Sequence, residues 1–260
     1  MTGPSGWLRG LEEQPHARRW VVCFPHAGGS ASFFRSWRGQ LPADVGVLAI
    51  QYPGHEDRIR EPCRIDVAAL ADPVAAALGA VRGEPLVLFG HSMGATVAYE
   101  VARRLASTAA PHALAVSGHP APRRGRGTAW HLTDDDTLWS QVRRLSGTAD
   151  QVLDHPELRA MLMPVLRNDY RISEQYRPAA GPLLRDRVLA LIGGSDPEVT
   201  DDEARGWSEV SRGPFTLRVL PGGHFYLVPQ QAEVVRAVLG LLDHPEHDRH
   251  DEEMAWPPRP

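Results

Sequence analysis

Apolar positions along the chain follow two alternating rhythms. Short runs of branched and aromatic residues predict buried strands: "WVVCF" at 20–24, "GVLAIQY" at 46–52, "PLVLF" at 85–89 and "ALAVSG" at 113–118. Between them the apolar positions recur every three or four residues. Phe33, Phe34, Trp37 and Leu41 predict a helix capped by Ser30. Val67, Leu70, Ala71, Val74, Leu78 and Val81 predict a second, spanning 66–81. Ala95, Ala98, Tyr99, Ala102 and Leu105 predict a third, with Glu100 and Arg104 as an i,i+4 pair on its outer side.

The alternation halts at 119. Residues 119–182 carry no strand pattern. Within them, "LTDDDTLWSQVRRLSG" reads as a helix with Thr133 as cap, Asp in its first turn, Arg in its last and Gly147 just beyond. Pro156 and Pro164 suit the first turns of two more helices. Strand and helix then alternate again through "RVLALIGG" (187–194), "FTLRVLPGG" (215–223) and a helix facing inward with Val234, Val235, Val238, Leu241 and Leu242. Such alternation implies an α/β protein: a mostly parallel central sheet with helices on both faces. The expected organisation is a leader at 1–19, a core of 20–118 and 183–243, a helical lid insertion at 119–182, and a charged, Pro-rich, disordered tail at 244–260. The insertion would lie over the carboxyl ends of the strands, where open α/β sheets bind ligands.

Composition narrows the function. The 260 residues suffice for one domain with a full core. A net charge of −4 supplies no global basic field for nucleic acid. There is no Lys; all 28 basic side chains are Arg, so lysine chemistry is excluded. Two cysteines, Cys23 and Cys63, make no disulfide framework. No run is long and apolar enough to span a membrane, and the N-terminus lacks a basic region followed by an apolar run. The expectation is a cytoplasmic protein with no membrane or nucleic-acid partner.

"FGHSMGAT" at 89–96 is G-x-S-x-G between a predicted strand and a predicted helix. That context suits a nucleophile elbow, a tight turn that exposes Ser92 Oγ. A serine nucleophile needs a base, and the base needs an orienting acid. Of 12 histidines, His224 in "LPGGHF" falls on a loop at the right sheet edge. Asp196, after the preceding strand, is free to orient it because Asp201 and Asp202 are better placed to cap the next helix. The order Ser92, Asp196, His224 matches the α/β-hydrolase fold. The oxyanion donors should be the backbone N–H groups of Met93 and of Ala27 in "PHAGGSA", with Gly28 and Gly29 allowing close approach. His26 reads as fixing that loop, and His91 as packing.

The blocks "CFPHAGGSASFF", "QYPGHEDR", "FGHSMGATVAYE", "LPGGHFYL" and, more loosely, "MPVLRNDY" resemble the stand-alone type II thioesterases of polyketide and non-ribosomal peptide synthesis. The resemblance covers roughly 18–243. It departs at Asn168, where Ala or Ser is frequent, and at Met93, where Leu is common. It implies hydrolysis of stalled or aberrant acyl groups from the phosphopantetheine arm of acyl or peptidyl carrier domains. The carrier belongs to a separate synthase; no cofactor or metal is implied beyond the arm on the substrate. It also implies an acyl chamber beneath the lid, with Trp130, Leu138, Trp139, Met161 and Met163 as candidates. "RRGR" (Arg123, Arg124, Arg126) could receive an acidic carrier. A general carboxylesterase or lipase and a non-catalytic binding scaffold of the same fold are the alternatives.

Overall fold

The structure, a computed structural model, describes residues 6–81, 83–106, 111, 113–125, 127–146 and 155–243. Gly147, Arg126 and the 244–260 tail therefore lie outside the described residues.

Seven strands form one sheet: β1 (Leu8–Arg9), β2 (Arg19–Phe24), β3 (Val45–Ile50), β4 (Leu86–His91), β5 (Ala113–Ser117), β6 (Arg187–Gly193) and β7 (Phe215–Leu220), in the order β1-β3-β2-β4-β5-β6-β7. All neighbours are parallel except β1, which runs antiparallel to β3 with Leu8 opposite Ile50. The end of the predicted leader is thus an edge strand, and Trp7 and Leu8 join the core. The inner strands are buried on both faces, so they read as continuous apolar runs. Val22, Leu88 and Leu114 point to one side; Val21, Val87 and Phe89 point to the other.

Helices α1 (Val67–Ala77) and α2 (Met93–Leu105) cover the first face. The second is covered by α6 (Gln231–Leu239) and by residues 31–40. The 31–40 segment is a 3-10 helix, tighter than the α-helix expected, and the Ser30 side chain makes no capping bond. Asp66 does cap α1, accepting the Ala69 N–H at 2.7 Å.

Between β5 and β6 lie α3 (Asp135–Ser146) and α4 (Pro156–Gln175), with no strand among the described residues. The cap of α3 is Asp134 rather than Thr133: its carboxylate accepts the Thr137 N–H at 2.9 Å. Thr133 instead closes the preceding turn on the Trp130 carbonyl. Pro156 does open a helix, but Pro164 lies inside it, so two expected helices are one of 20 residues. Pro164 withholds an N–H from the carbonyl one turn back. The helix continues because packing of its apolar stripe outweighs that loss. Short α5 (Asp201–Arg205) is capped by Thr200, which exchanges a reciprocal capping box with Glu203. Asp201 and Asp202 occupy its first turn instead of the cap.

The strand order reverses direction between β2 and β4, which pair Phe24 with Gly90. Chains leaving these two strands diverge and open a crevice at their carboxyl ends. "PHAGG" and the Ser92 turn both start there.

Candidate active site

Ser92 follows β4 at φ 53°, ψ −125°, a conformation that side-chain-bearing residues rarely adopt. The neighbouring chain holds it there. Its N–H donates to the Ser117 carbonyl at 2.7 Å, and its carbonyl accepts the Ala95 N–H at 2.9 Å. The flanking glycines are sterically required. A Cβ on Gly90 would lie 2.2 Å from the Gly94 carbonyl oxygen, and one on Gly94 would lie 2.1 Å from that of Phe24. Met93 is the first residue of α2, so its N–H belongs to the unsatisfied first turn. Ala27 lies across the crevice, and both residues line the cavity that also reaches Ser92.

His224 and Asp196 come together from the loops after β7 and β6. Backbone bonds Gly194 N–H to Leu220 O and Ser195 N–H to Gly222 O, 2.8 and 2.9 Å, zip these loops side by side. His224 Nδ1 donates to Asp196 Oδ2 at 2.9 Å and approaches Oδ1 at 3.1 Å. Asp196 also accepts the Glu198 N–H at 2.8 Å. Both side chains are buried. With Nδ1 held by the carboxylate, Nε2 is the nitrogen left for the cavity that His224 and Ser92 share.

Two further histidines surround this pair. His91 is fully buried; its Nδ1 meets Ser117 Oγ at 2.9 Å and its ring lies 5.0 Å from that of His224. Burial pushes its pKa well below the usual value, helped by the nearby His224 and His26. His26 packs edge-on against Phe33 and Phe225, and burial, with His224 and His55 nearby, lowers its pKa to about 3. Neither has a carboxylate partner among the described residues, and both stay neutral beside His224.

The cavity holds about 250 Å³. Trp130 and Trp139 line it, whereas three of the proposed chamber residues do not. Met161 is 52% exposed on the outer side of α4. Leu138 and Met163 are buried inside a small α3–α4 cluster with Trp139 and Leu166. The stripe of α4 that faces the cavity is Leu162, Leu166, Tyr170 and Ser173, one helical step out of phase with Met161. Of the basic loop, Arg124 pairs with Glu209 and Arg123 is exposed.

One buried group escaped the sequence reading. Asp169 of α4 accepts the Gly28 N–H at 2.8 Å and His55 Nε2 at 2.8 Å, both on Oδ2. His55 Nδ1 faces the Pro53 carbonyl at 3.1 Å. Both partners of the ring are acceptors, so both nitrogens carry hydrogens and His55 is an imidazolium. Gly28, at φ 73°, has no room for a Cβ: Leu166 Cδ2 would lie 2.5 Å away. The only advance signal was that both residues fall in the motif blocks "QYPGHEDR" and "MPVLRNDY".

No group of His, Cys, Asp or Glu among the described residues is arranged to hold a metal ion. None of the described helices is long and apolar enough to cross a membrane.

A seven-stranded sheet with a serine on a strained strand-to-helix turn, and a lid-like helical segment above it, defines the α/β-hydrolase class. Within that class the chain belongs to the thioesterase family: the family model described as "Thioesterase domain" matches residues 19–242. The chain is 41% identical over 231 residues to "Thioesterase PikA5" of Streptomyces venezuelae, covering 88% of this chain and 82% of that protein. It is 39% identical over 241 residues to the "Probable cadicidin biosynthesis thioesterase" of Streptomyces griseus, covering 92% of this chain but 66% of the longer relative. Among solved structures it is similar to the type II thioesterase BorB of the borrelidin biosynthetic cluster, with a TM-score of 0.85 and 42% identity, over 93% of this chain and 100% of that one. The protein is therefore a hydrolase of the type II thioesterase kind.

Proposed function

We propose that the protein removes stalled or aberrant acyl groups from the phosphopantetheine arm of carrier domains on a separate synthase. The relatives named for polyketide and peptide antibiotic clusters support this reading. The observation that carries it is the buried His224–Asp196 pair, which shares one cavity with Ser92 on its strained turn.

In the proposed reaction His224 Nε2 takes the Ser92 proton as Oγ attacks the thioester carbonyl. Asp196 holds the tautomer with a hydrogen on Nδ1 and stabilises the imidazolium that forms. The tetrahedral oxygen is received by the N–H groups of Ala27 and Met93, which are fixed before the substrate arrives. The C–S bond breaks and His224 returns the proton to the thiol. Water, deprotonated by His224, then attacks the acyl-serine ester. The acid leaves and Ser92 regains its hydrogen. The neutral His26 and His91 keep added positive charge away while the imidazolium forms.

A short-acyl carrier protein incubated with wild type and with Ser92→Ala, followed by intact mass, tests this. Wild type should strip the acyl group and Ser92→Ala should leave it. Cleavage of small soluble esters with carriers left loaded would make the protein an esterase and overturn the proposal.

A further inference from the structure

The cavity above Ser92 has two walls of opposite character. One is apolar: Trp139, Val142, Leu145, Leu162 and Leu166, from α3 and α4. The other is polar: His119, Thr128, Ser173, Tyr176 and Arg177, with Gly125 and Gly127 beside them. The two walls also differ in access. Trp139 and Leu166 are buried, whereas Gly125, Gly127, Thr128 and Arg177 are exposed. The cavity therefore opens to solvent along its polar wall.

Arg177 stands at that opening, just beyond the end of α4. Its NH1 group donates to the carbonyls of Glu174 and Tyr176 at 2.8 and 2.6 Å, filling acceptors that the helix end leaves free. These bonds hold the guanidinium at the rim while leaving its Nε–NH2 edge open. No carboxylate among the described residues pairs with it. The nearest acid in sequence, Glu174, is turned inward and occupied by the Trp130 N–H, the His131 N–H and the His131 ring. The rim thus carries a fixed cation in need of an anion.

We propose that Arg177 receives the phosphate of the phosphopantetheine arm, with the arm along the polar wall and the acyl chain against the apolar one. This rests on the function proposed above. A pantetheine arm carries amides and a hydroxyl, which suit a wall of His, Ser and Thr side chains. Its far end is a phosphate ester, and the planar edge of a guanidinium matches two phosphate oxygens at once. Carrier domains and coenzyme A share this phosphate, and the proposal assigns the carrier as its source.

The experiment compares kcat/KM for butanoyl-pantetheine and butanoyl-phosphopantetheine with wild type, Arg177→Gln and Arg177→Lys. Wild type should prefer the phosphorylated thioester by about tenfold or more. Arg177→Gln, which keeps an amide donor for the helix-end carbonyls, should lose that preference, its kcat/KM falling at least about fivefold more on butanoyl-phosphopantetheine than on butanoyl-pantetheine. Arg177→Lys should retain part of it. The unphosphorylated substrate also reports on folding, so a misfolded variant is recognised. Equal losses on both substrates, or no preference in wild type, would overturn the assignment. A wild type that cleaves neither thioester overturns the proposed function itself. Butanoyl-carrier protein and butanoyl-coenzyme A complete the set. A loss on both with Arg177→Gln supports the contact, and a loss on coenzyme A alone overturns the carrier as its source.

Discussion

Two buried histidine–carboxylate pairs of nearly equal length flank the crevice. His224 lies 2.9 Å from Asp196, and His55 lies 2.8 Å from Asp169. Both pairs join distant segments, and both sit within reach of the Ser92 crevice. They differ in the second ring nitrogen. In His55 it faces the Pro53 carbonyl, so the ring is doubly engaged and keeps its proton above the usual histidine range. In His224 it faces the cavity. A histidine held by acceptors at both nitrogens is a clamp, whereas one held at a single nitrogen can exchange its proton. Distance to the carboxylate does not separate the two roles; the occupancy of the far nitrogen does.

Mutation should separate them in opposite observables. His224→Asn, which keeps a donor near the position of Nδ1 but has no group in place of Nε2, should lower kcat by at least about 10⁴-fold. It should move the thermal midpoint little, since the Asn amide can donate to the buried Asp196 carboxylate in place of the ring Nδ1–H; single-turnover hydrolysis and calorimetry check both halves. Asp169→Ala should do the reverse. It leaves an imidazolium buried without its partner, a change that destabilises by about 3–5 kcal/mol. The melting temperature should drop on the order of 10 °C. Enzyme that remains folded should keep kcat within a few-fold of wild type when assayed well below that midpoint.

A smaller effect lies in the pH dependence of stability. Burial alone would lower the His55 pKa, but the Asp169 carboxylate, with help from the Pro53 carbonyl, holds it above the usual histidine value. The folded state therefore favours the protonated ring. That contribution is complete below the unfolded value of about 6.5 and is lost as pH rises through the higher folded value. The slope is at most about 1.4 kcal/mol per pH unit. Urea midpoints measured between about pH 6 and about pH 9 should decline with this slope, and His55→Gln should flatten it. The acid limb belongs to other residues. His91 and His26 are held neutral, so stability falls below about pH 6.5 as the unfolded chain takes up protons they refuse. As a control on the same helix as Asp169, exposed Met161→Gln should change stability by no more than about 0.5 kcal/mol and leave kcat unaltered, by the same two assays.

The same contrast governs what could be read from the chain. Ser92 was legible because its requirements are local: two small neighbours, a strand before and a helix after. His224 and Asp196 were legible because strand ends announce themselves by pattern. Asp169 was not, because its partners lie 141 and 114 residues away. Nothing in a polar position on an amphipathic helix separates an inward carboxylate from a solvated one. The lid erred for a related reason. Taking Pro164 as a helix start broke α4 in two and lost the phase that separates Leu162 and Leu166 from Met161. Capping by Asp134 rather than Thr133 is a choice between adjacent candidates that only the turn geometry settles.

Helix α4 is fastened to the body of the protein at several places along its second half. Asp169 is bonded to Gly28, and Tyr176, directly after the helix, donates to Glu100 of α2 at 2.6 Å. Asn168 also donates to the Arg64 carbonyl at 2.8 Å, and Asp169 holds His55 at 2.8 Å, so rotation of the helix about its own axis is blocked as well. The helix cannot swing away like a flap. Helix α3 is tied to α4 by Arg159 on Asp136 and Arg167 on Asp135, at 2.5 and 2.6 Å, and to the opposite rim by Gln141 and Arg144 on Glu198, at 3.0 and 3.1 Å. The roof is a braced frame, its two helices tied to each other and to both rims, so the chamber wall at Trp139 is in place before any substrate enters.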